Sequence, residues 1–337
     1  MSNRLRLSLL VAICVVLVAA TAFVVVRSRS SQQQQLASVP PAPTVLLSQV
    51  GTAPRIMFVN MALGPNYGQV AAVPLSDPGG ARTLTSVTCD RVFAAAGRTL
   101  CLASDKGLVT TYSATVYDDA TNVATQIPLT GSPSRARLSD DGLLSATTSF
   151  VAGDSYASVG FSTRTVVTRL AGRQSLDLED FTLVDGGSRI SPTDRNYWGV
   201  TFASDDDHFY LTVAFGGVTH LARGQLSTRT VETVRPDAEC PSLSPDGTRV
   251  AYKKRGDRGP GDWRLAVLDI ATGRETPLAE THSIDDQVEW LDNDRILYGL
   301  PGEGATVAES NVWVVKADGT GTPSILVPRA WSPAVVR

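Results

Sequence analysis

The sequence has few of the residues that build common catalytic and metal-binding sites. Its 337 residues include three histidines, and none has a second histidine or a cysteine at metal-ligand spacing. Neither the Gly-x-Ser-x-Gly motif of serine hydrolases nor a glycine-rich nucleotide-binding fingerprint is present. These absences predict a non-enzymatic protein with no catalytic residue, no cofactor and no metal site.

Acidic residues are absent from residues 1–53 and in excess after them. Four of the 30 basic residues and none of the 33 acidic residues lie in that segment, so residues 54–337 carry a net charge of −7. An acidic globule repels phosphate backbones. We therefore predict that the protein does not bind nucleic acid.

A long uncharged run lies close to the amino terminus. Residues 7–26, LSLLVAICVVLVAATAFVVV, would span roughly 30 Å as a helix, the thickness of a bilayer core. A cleaved signal peptide could be cut at residues 20–22, Ala-Thr-Ala, but the apolar run continues past them. A lipoprotein is excluded because Ile13, and not a small residue, precedes Cys14. The pattern favours a transmembrane signal anchor after a cytoplasmic stub at 1–6.

Residues 27–53 are rich in Ser, Gln and Pro, and this composition is typical of a flexible linker. Residues 54–337 then form the main domain. The short amino-terminal side and the large domain favour an orientation with that domain on the extracytoplasmic side of the cell membrane. The protein would contact the membrane as a single-pass protein through residues 7–26.

Cys89 and Cys101 flank a predicted hairpin, CDRVFAAAGRTLC. Outside the cytoplasm such a pair can oxidise, provided that the strands bring the two Cβ atoms close together. We predict a Cys89–Cys101 disulfide, which leaves Cys240 as a small buried hydrophobic residue.

From residue 54 onward the sequence has almost no helical periodicity. Short alternating or β-branched runs, such as RIMFVN and HFYLTVAF, are separated by turn-forming residues, as is typical of antiparallel strands. A unit of strand, Ser-x-Asp-Gly and strand recurs, most clearly in CPSLSPDGTRVAYKKR (240–255) and RARLSDDGLLSATTSF (135–150). A third copy at 200–213 has Asp207 in the glycine place.

The copies recur with a period of roughly 40–45 residues, which is the signature of a β-propeller blade. The equivalent turn positions are Ala94, Ser139, Ser204, Ser244, Leu291 and Ser332. The last copy, AWSPAVV, supplies an inner strand alone, whereas the first strands after the linker lack one. The predicted fold is therefore all-β: a six-bladed propeller of four-stranded antiparallel blades, closed by pairing of the N- and C-terminal strands and preceded by one transmembrane helix.

One interval, from Ser139 to Ser204, is longer than the others by about 20 residues. Residues 173–200 fill it, either as a hairpin that caps or lines a propeller face or as a long loop packed on its own core. Tyr197 and Trp198 lie there beside charged residues, and Trp198 falls outside the repeat. We predict these two aromatic residues as partner contacts.

Acidic clusters offer two further candidates. Residues 205–207 are all Asp and precede His208, which could suggest a cation site, although the repeat alignment places them on an exposed turn. Adjacent acids at 179–180 and 285–286 could serve glycoside chemistry, which depends on the separation of two carboxylates.

The units LSPDGTRVAY and WSP resemble the PD40, or WD40-like, repeats of the TolB propeller family. The resemblance extends as a pattern over about residues 54–337. The chain as a whole resembles the membrane-anchored TolB-like proteins of actinobacteria, and TolB itself belongs to the Tol–Pal envelope system. The resemblance implies a six-bladed scaffold of the cell envelope. We expect it to bind an envelope or membrane protein, or another envelope component, through one propeller face and the mouth of its channel.

Two other functional classes stay open. A propeller enzyme acting on a glycan or a lactone would carry acids in the central channel, within a funnel-shaped pocket that shifts their pKa values. A sensor domain would pass a signal to a membrane partner through a polar or small-residue face of the span.

Overall fold

The computed structural model describes residues 40–107, 109–151, 162–302 and 309–337, with scattered positions between 13 and 27. The chain divides into two compact units, Met1–Pro43 with Leu63–Tyr67, and Thr44–Ala62 with Gly68–Arg337. In the first unit the described positions between 13 and 27 are helical. No helix in the described part of the chain is long and apolar enough to cross a bilayer. The predicted stub 1–6 and most of the predicted span 7–26 lie outside the described residues.

The described residues of the second unit form 27 strands and two 3-10 helices, Leu47–Gln49 and Leu178–Asp180. The first eight strands are β1 (Thr44–Val45), β2 (Arg55–Asn60), β3 (Gln69–Pro74), β4 (Thr83–Thr88), β5 (Arg91–Ala95), β6 (Arg98–Lys106), β7 (Thr110–Asp118) and β8 (Ala124–Ile127). The next ten are β9 (Ser132–Leu138), β10 (Leu144–Val151), β11 (Ser162–Arg169), β12 (Gln174–Asp177), β13 (Thr182–Asp185), β14 (Ser188–Ile190), β15 (Asn196–Phe202), β16 (His208–Phe215), β17 (Val218–Gln225) and β18 (Thr230–Pro236). The last nine are β19 (Glu239–Leu243), β20 (Arg249–Lys254), β21 (Arg264–Asp269), β22 (Glu275–Pro277), β23 (Glu289–Trp290), β24 (Arg295–Pro301), β25 (Ser310–Lys316), β26 (Ser324–Val327) and β27 (Ala330–Val336).

These strands form six sheets within the described residues, and each sheet is one blade of a propeller. Four blades are four-stranded meanders of consecutive strands, namely β5–β8, β9–β12, β19–β22 and β23–β26. The other two blades have extra strands, with the orders β27-β2-β3-β4-β1 and β15-β16-β17-β18-β13-β14. The predicted six-bladed all-β propeller is therefore confirmed, with strands added to two of its four-stranded blades.

The ring closes between the two ends of the propeller unit. β27 pairs antiparallel with β2, from Arg55 opposite Val336 to Asn60 opposite Ala330. Arg82 reinforces the closure because its guanidinium donates to the carbonyl of Pro328 at 2.7 Å. The predicted closing blade is present, and both strands that would otherwise be sheet edges are paired.

Alternate residues of a strand pack on opposite faces of its blade, as the period of two requires. In β2, Ile56 and Phe58 join the core shared with Leu297, whereas Met57 and Val59 join the core shared with Leu100. The first core includes side chains of the preceding blade and the second those of the following blade. Both faces are covered, which explains why RIMFVN reads as a nearly continuous apolar run.

The propeller unit begins earlier than the sequence predicted. β1 pairs in parallel with β4, and Leu47 of the following 3-10 helix is buried in the core. Residues 44–53 therefore belong to the propeller, and the predicted linker 27–53 was too long at its C-terminal end. Leu47 is the single buried residue between 44 and 53, so the rest of this stretch resembles a linker in composition.

A disulfide joins Cys89 and Cys101, whose Cα atoms lie 5.5 Å apart. Cys89 follows β4 of the closing blade, and Cys101 lies on β6 of the next blade. The predicted pair is thus present, and it fastens the closing blade covalently to its neighbour. Cys240 is a buried free cysteine, also as predicted.

We predict that replacing both Cys89 and Cys101 with alanine lowers the free energy of unfolding by about 2–4 kcal/mol, because the bond restricts the unfolded chain. Urea unfolding of the oxidised protein and the double variant measures the difference. Replacing the free Cys240 with alanine is the control for losing a buried sulfur. A double variant as stable as the oxidised protein would contradict the role of the bond.

The Ser-x-Asp-Gly turns have one shared hydrogen-bond pattern. In the turn between β19 and β20, the Ser244 hydroxyl donates to Asp246 at 2.6 Å and accepts from the backbone N–H of Arg249 at 2.9 Å. The turn after β9 repeats both bonds, from Ser139 to Asp141 and from Leu144 to Ser139. Side-chain acceptors satisfy the turn backbone, so the motif is structural.

Two of the predicted turn equivalences were wrong. In the third copy Ala203, and not Ser204, occupies the serine place, because its N–H donates to His208 O as the N–H of Ser244 donates to Arg249 O. Asp206, with a φ of +56°, occupies the glycine place instead of Asp207. Ser332 lies inside β27 with a φ of +54°, at the position that Cys240 occupies in β19. It is an inner-strand residue and not a turn residue.

Residues 173–200 contain one true insertion between two blade strands. β13 and β14 form a hairpin, and β13 pairs in parallel with β18 at the outer edge of the following blade. The insertion therefore widens a blade at its rim. Neither predicted form, a hairpin on a propeller face or a loop packed on its own core, describes this edge addition.

Candidate functional site at the channel mouths

The innermost strand of each blade lines the central channel. In order around the ring these inner strands are β27, β5, β9, β15, β19 and β23, each contacting the next. Side chains link them: Ser332 Oγ donates to Val92 O at 2.9 Å, and Trp290 Nε1 donates to Ser242 O at 2.9 Å. We call the end where inner strands begin the start mouth and the opposite end, with the Ser-x-Asp-Gly turns, the turn mouth.

An ion pair crosses the channel near the turn mouth. Arg137 of β9 bonds Glu289 of β23, and these strands lie on opposite sides of the ring. Both side chains are buried. Burial raises the pKa of Glu289, while the positive charges of Arg137 and Arg337 oppose the rise. The Arg137 guanidinium also lies over the Phe93 ring, 4.5 Å from its centroid.

A second charged group, the start layer, lies near the start mouth. Arg91 of β5 bonds Asp286 at 2.8 Å, and the backbone N–H of Gly299 donates to the same carboxylate at 3.0 Å. Arg135 of β9 reaches Asp285 at 3.3 Å. Both acids precede β23, so the Arg135–Asp285 pair also spans opposite sides of the ring.

Lys253 adds a third cation to the start layer. Its Nζ lies 2.5 Å from Asp285 Oδ1 and 3.6 Å from Glu239 Oε2. The same Nζ lies 3.9 Å from the centroid of the Trp263 ring, and Trp263 Nε1 donates to Glu239 at 2.9 Å. The lysine is therefore held by two carboxylates and an aromatic face.

The crossing pairs divide the channel. A cavity of about 20 Å³ lies between them, lined by residues that include Arg91, Arg137 and Asp286. At the turn mouth a cavity of about 100 Å³ opens among Phe93, Glu289 and Trp290. The cavity between the crossing pairs has room for about one water molecule. Ligands would therefore meet the protein at the mouths.

Solved structures of other propellers are similar to this chain. TolB from Acinetobacter baumannii is similar over 84% of this chain and 66% of its own length, with 17% identity and a TM-score of 0.60. The chain has a TolB-like propeller fold. No family model and no curated protein matches its sequence.

The TolB-like propeller is similar to other propellers as well. A chain of a nidogen/laminin complex matches over 84% of this chain and 98% of that one, with 12% identity and a TM-score of 0.54. A putative TolB from Agrobacterium tumefaciens matches over 84% and 92%, with 10% identity and a TM-score of 0.49. The two structures with TM-scores of 0.60 and 0.54 share the propeller fold with this chain, and identities this low leave the function to the site itself.

The structure places the predicted partner contacts inside the TolB-like propeller. Tyr197 and Trp198 are 1% and 4% exposed and lie on the inner strand β15. The prediction of exposed contacts at these residues was wrong. Trp198-Gly199 is the structural equivalent of Glu239-Cys240 in β19, so the aromatic pair belongs to the repeat and not to the insertion.

The acidic residues 205–207 lie on a turn, and Asp205 stabilises that turn by hydrogen bonds. Asp205 accepts from the His208 backbone N–H at 2.8 Å and contacts His208 Nδ1 at 2.6 Å. Partial burial and the nearby Asp141 carboxyl both raise the pKa of Asp206, which is about 6. Within the described residues no group of His, Cys, Asp and Glu side chains could hold a metal ion.

Sequence reasoning missed the channel residues of the TolB-like propeller except for Asp285 and Asp286. The predicted acid pair is split, since Asp286 is buried against Arg91 while Asp285 is exposed. The acids at 179–180 lie in the 3-10 helix Leu178–Asp180, between β12 and the β13–β14 hairpin. A usable signal was present in β9, because Arg135 and Arg137 alternate with small residues and so lie on one face of the strand.

Proposed function

We propose that this protein is a non-enzymatic scaffold of the cell envelope that binds a protein or another envelope component through the turn mouth. Residues 7–26 would anchor it in the cell membrane, with the propeller on the extracytoplasmic side. The support is the TolB-like fold, the apolar run in the sequence, and a disulfide, which favours an oxidising compartment.

The observation that carries the binding role is the form of the turn mouth. Its cavity of about 100 Å³ is shared by inner strands of five blades and bordered by the turn at Asp246. The Arg137–Glu289 pair forms its floor, so a partner would be met by a shallow, polar, rigid surface. Rigid frames that present several turns at one end suit recognition of a partner surface.

Two of the carboxylates at this mouth, those of Glu289 and Asp246, already have structural roles. Glu289 is paired with Arg137, and Asp246 accepts from Ser244 and from Thr248, at 2.6 and 2.7 Å. Acid catalysis by two carboxylates needs both groups facing the substrate. The arrangement of these two acids favours binding over glycoside or lactone chemistry.

The test compares two exposed aspartates that differ in location. Asp140 lines the turn mouth, whereas Asp180 lies in the insertion. The full chain and its Asp140→Lys and Asp180→Lys variants are used to capture partners from detergent-extracted membranes. We expect Asp140→Lys to lose at least about 90% of the captured partner, since a reversed charge in a contact costs several kcal/mol.

We expect Asp180→Lys to retain the partner. Equal recovery by all three proteins would refute binding at the turn mouth. Loss with Asp180→Lys alone would move the binding surface to the insertion. Circular dichroism of each variant confirms that the propeller is folded.

A further inference from the structure

In the start layer, the Asp285 carboxylate is far more exposed than the two cations with which it pairs. The Asp285 side chain is 62% exposed, whereas those of Arg135 and Lys253 are 11% and 4% exposed. The carboxylate therefore lies over one buried cation, Lys253, and one partly buried cation, Arg135, and it faces solvent at the start mouth. Its place is the point at which an external group would reach both cations.

The other two acids of the start layer are fixed in position. Asp286 is 2% exposed and accepts both from Arg91 and from the backbone N–H of Gly299. Glu239 is buried and accepts from the indole N–H of Trp263. Neither can leave without exposing a buried donor, and that loss is costly. The Asp285 side chain is less restrained, because Arg135 and Lys253 both bond the same carboxylate oxygen, Oδ1.

The backbone around Asp285 is held while its side chain can turn away. Ile284 is fully buried, and its N–H donates to Trp263 O at 3.2 Å. The side-chain Nε2 of Gln287 donates to Val200 O and Pro241 O, at 3.0 and 2.9 Å, and so ties this end of the segment to β15 and β19. Rotation of the Asp285 side chain would expose a site with a guanidinium, an ammonium and an indole wall, without movement of the loop.

We propose that Arg135 and Lys253 form a carboxylate-binding site at the start mouth, which the Asp285 carboxylate occupies until a ligand carboxylate replaces it. A planar guanidinium and an adjacent ammonium match the two oxygens of a carboxylate. The exchange keeps the number of charges constant, because one anion leaves the two cations as another arrives. This site is distinct from partner binding at the turn mouth.

The proposal predicts that removing the internal carboxylate strengthens binding of an external one. We would titrate sodium acetate into the full chain and its Asp285→Ala variant at constant ionic strength with sodium chloride, and follow binding by melting temperature. We expect the variant to bind acetate about tenfold more tightly than the wild type, the usual effect of a charge-assisted hydrogen bond. The Asp285→Asn variant, which keeps the side-chain size, should show the same gain.

The matched control removes an exposed acid from another arginine. Asp292 pairs with Arg295 at 2.5 Å, but Arg295 is 52% exposed. Asp292→Ala should gain no acetate binding, because its arginine stays hydrated. Adding Lys253→Met to Asp285→Ala should abolish the gain. Equal acetate affinity in the wild type, Asp285→Ala and Asp285→Asn would overturn the proposal.

A second arm identifies the source of the carboxylate. N-acetyl-alanine presents a terminal carboxylate, N-acetyl-glutamate amide presents a side-chain carboxylate, and N-acetyl-alaninamide presents neither. Tighter binding of either acid than of the amide supports the site and names its source. Binding of the amide as tightly as both acids would overturn it.

Discussion

Replacing Arg137 with methionine is expected to lower the free energy of unfolding by about 3–5 kcal/mol at pH 8, the usual cost of removing one partner from a buried ion pair. The change leaves Glu289 buried in the channel without its cation. It also removes the hydrogen bond from Arg137 to Val288 O at 3.1 Å. Both contacts join β9 to the opposite side of the ring, so their loss weakens the ring as a whole.

The deficit of Arg137→Met should depend on pH. Burial already raises the pKa of Glu289 above its ordinary value of 4.5, and Arg137 opposes the rise. Without Arg137 the folded-state pKa rises further above the unfolded value. Folding then favours the protonated acid, so the deficit is smallest below about pH 4.5 and grows as the pH rises through the folded-state pKa. Urea unfolding at pH 5 and pH 8 measures both values.

Two further variants decide whether the pair causes the effect. Arg137→Met combined with Glu289→Leu removes both charges, and we expect it to recover most of the lost stability and to lose the pH dependence. Arg164→Met breaks an ion pair with Asp177 at 2.7 Å, where Arg164 is 49% exposed, and should cost at most about 1 kcal/mol. A deficit of similar size in Arg137→Met and Arg164→Met would show that the crossing pair has no special role.

The blade count could be predicted from the sequence because each blade repeats the same local solution. Ser139 and Ser244 satisfy the turn backbone with the same pair of hydrogen bonds, and that requirement fixes Ser, Asp and Gly in order along the chain. Ring closure could be predicted because one half-copy at 330–336 lacked strands that the first residues supplied. Both inferences depend on interactions within a few residues or on a count of strands.

The channel could not be predicted in this way. Arg137 and Glu289 are 152 residues apart, and nothing local marks them as partners. Trp198 shows the same limit, since its place on an inner strand depends on aligning Gly199 with Cys240, two residues without chemical similarity. Their equivalence is one of backbone shape, because both have positive φ at a bulge of the inner strand.

Replacing Gly199 with alanine is expected to destabilise the propeller by about 3 kcal/mol or more, from backbone strain together with overpacking. Gly199 has a φ of +68°, and an added Cβ would lie 2.8 Å from Cys240 Cα. That atom is backbone of β19, so it cannot turn aside as a side chain would. The inner strands β15 and β19 would have to move apart at the channel.

The close approach, and not the φ angle, should account for most of this cost. Cys240 and Ser332 hold the equivalent positions with φ values of +50° and +54°, so the ring tolerates side chains in this conformation. Gly247 is the matched control, because its φ is +70° and an added Cβ would meet nothing within 4 Å. Gly247→Ala should cost only about 1–2 kcal/mol, the strain of the left-handed conformation alone. If urea unfolding gave the same loss for both variants, the contact between β15 and β19 would not limit the size of residue 199. A larger loss for Gly199→Ala would establish that the inner strands are held at contact distance, as a channel crossed by direct ion pairs requires.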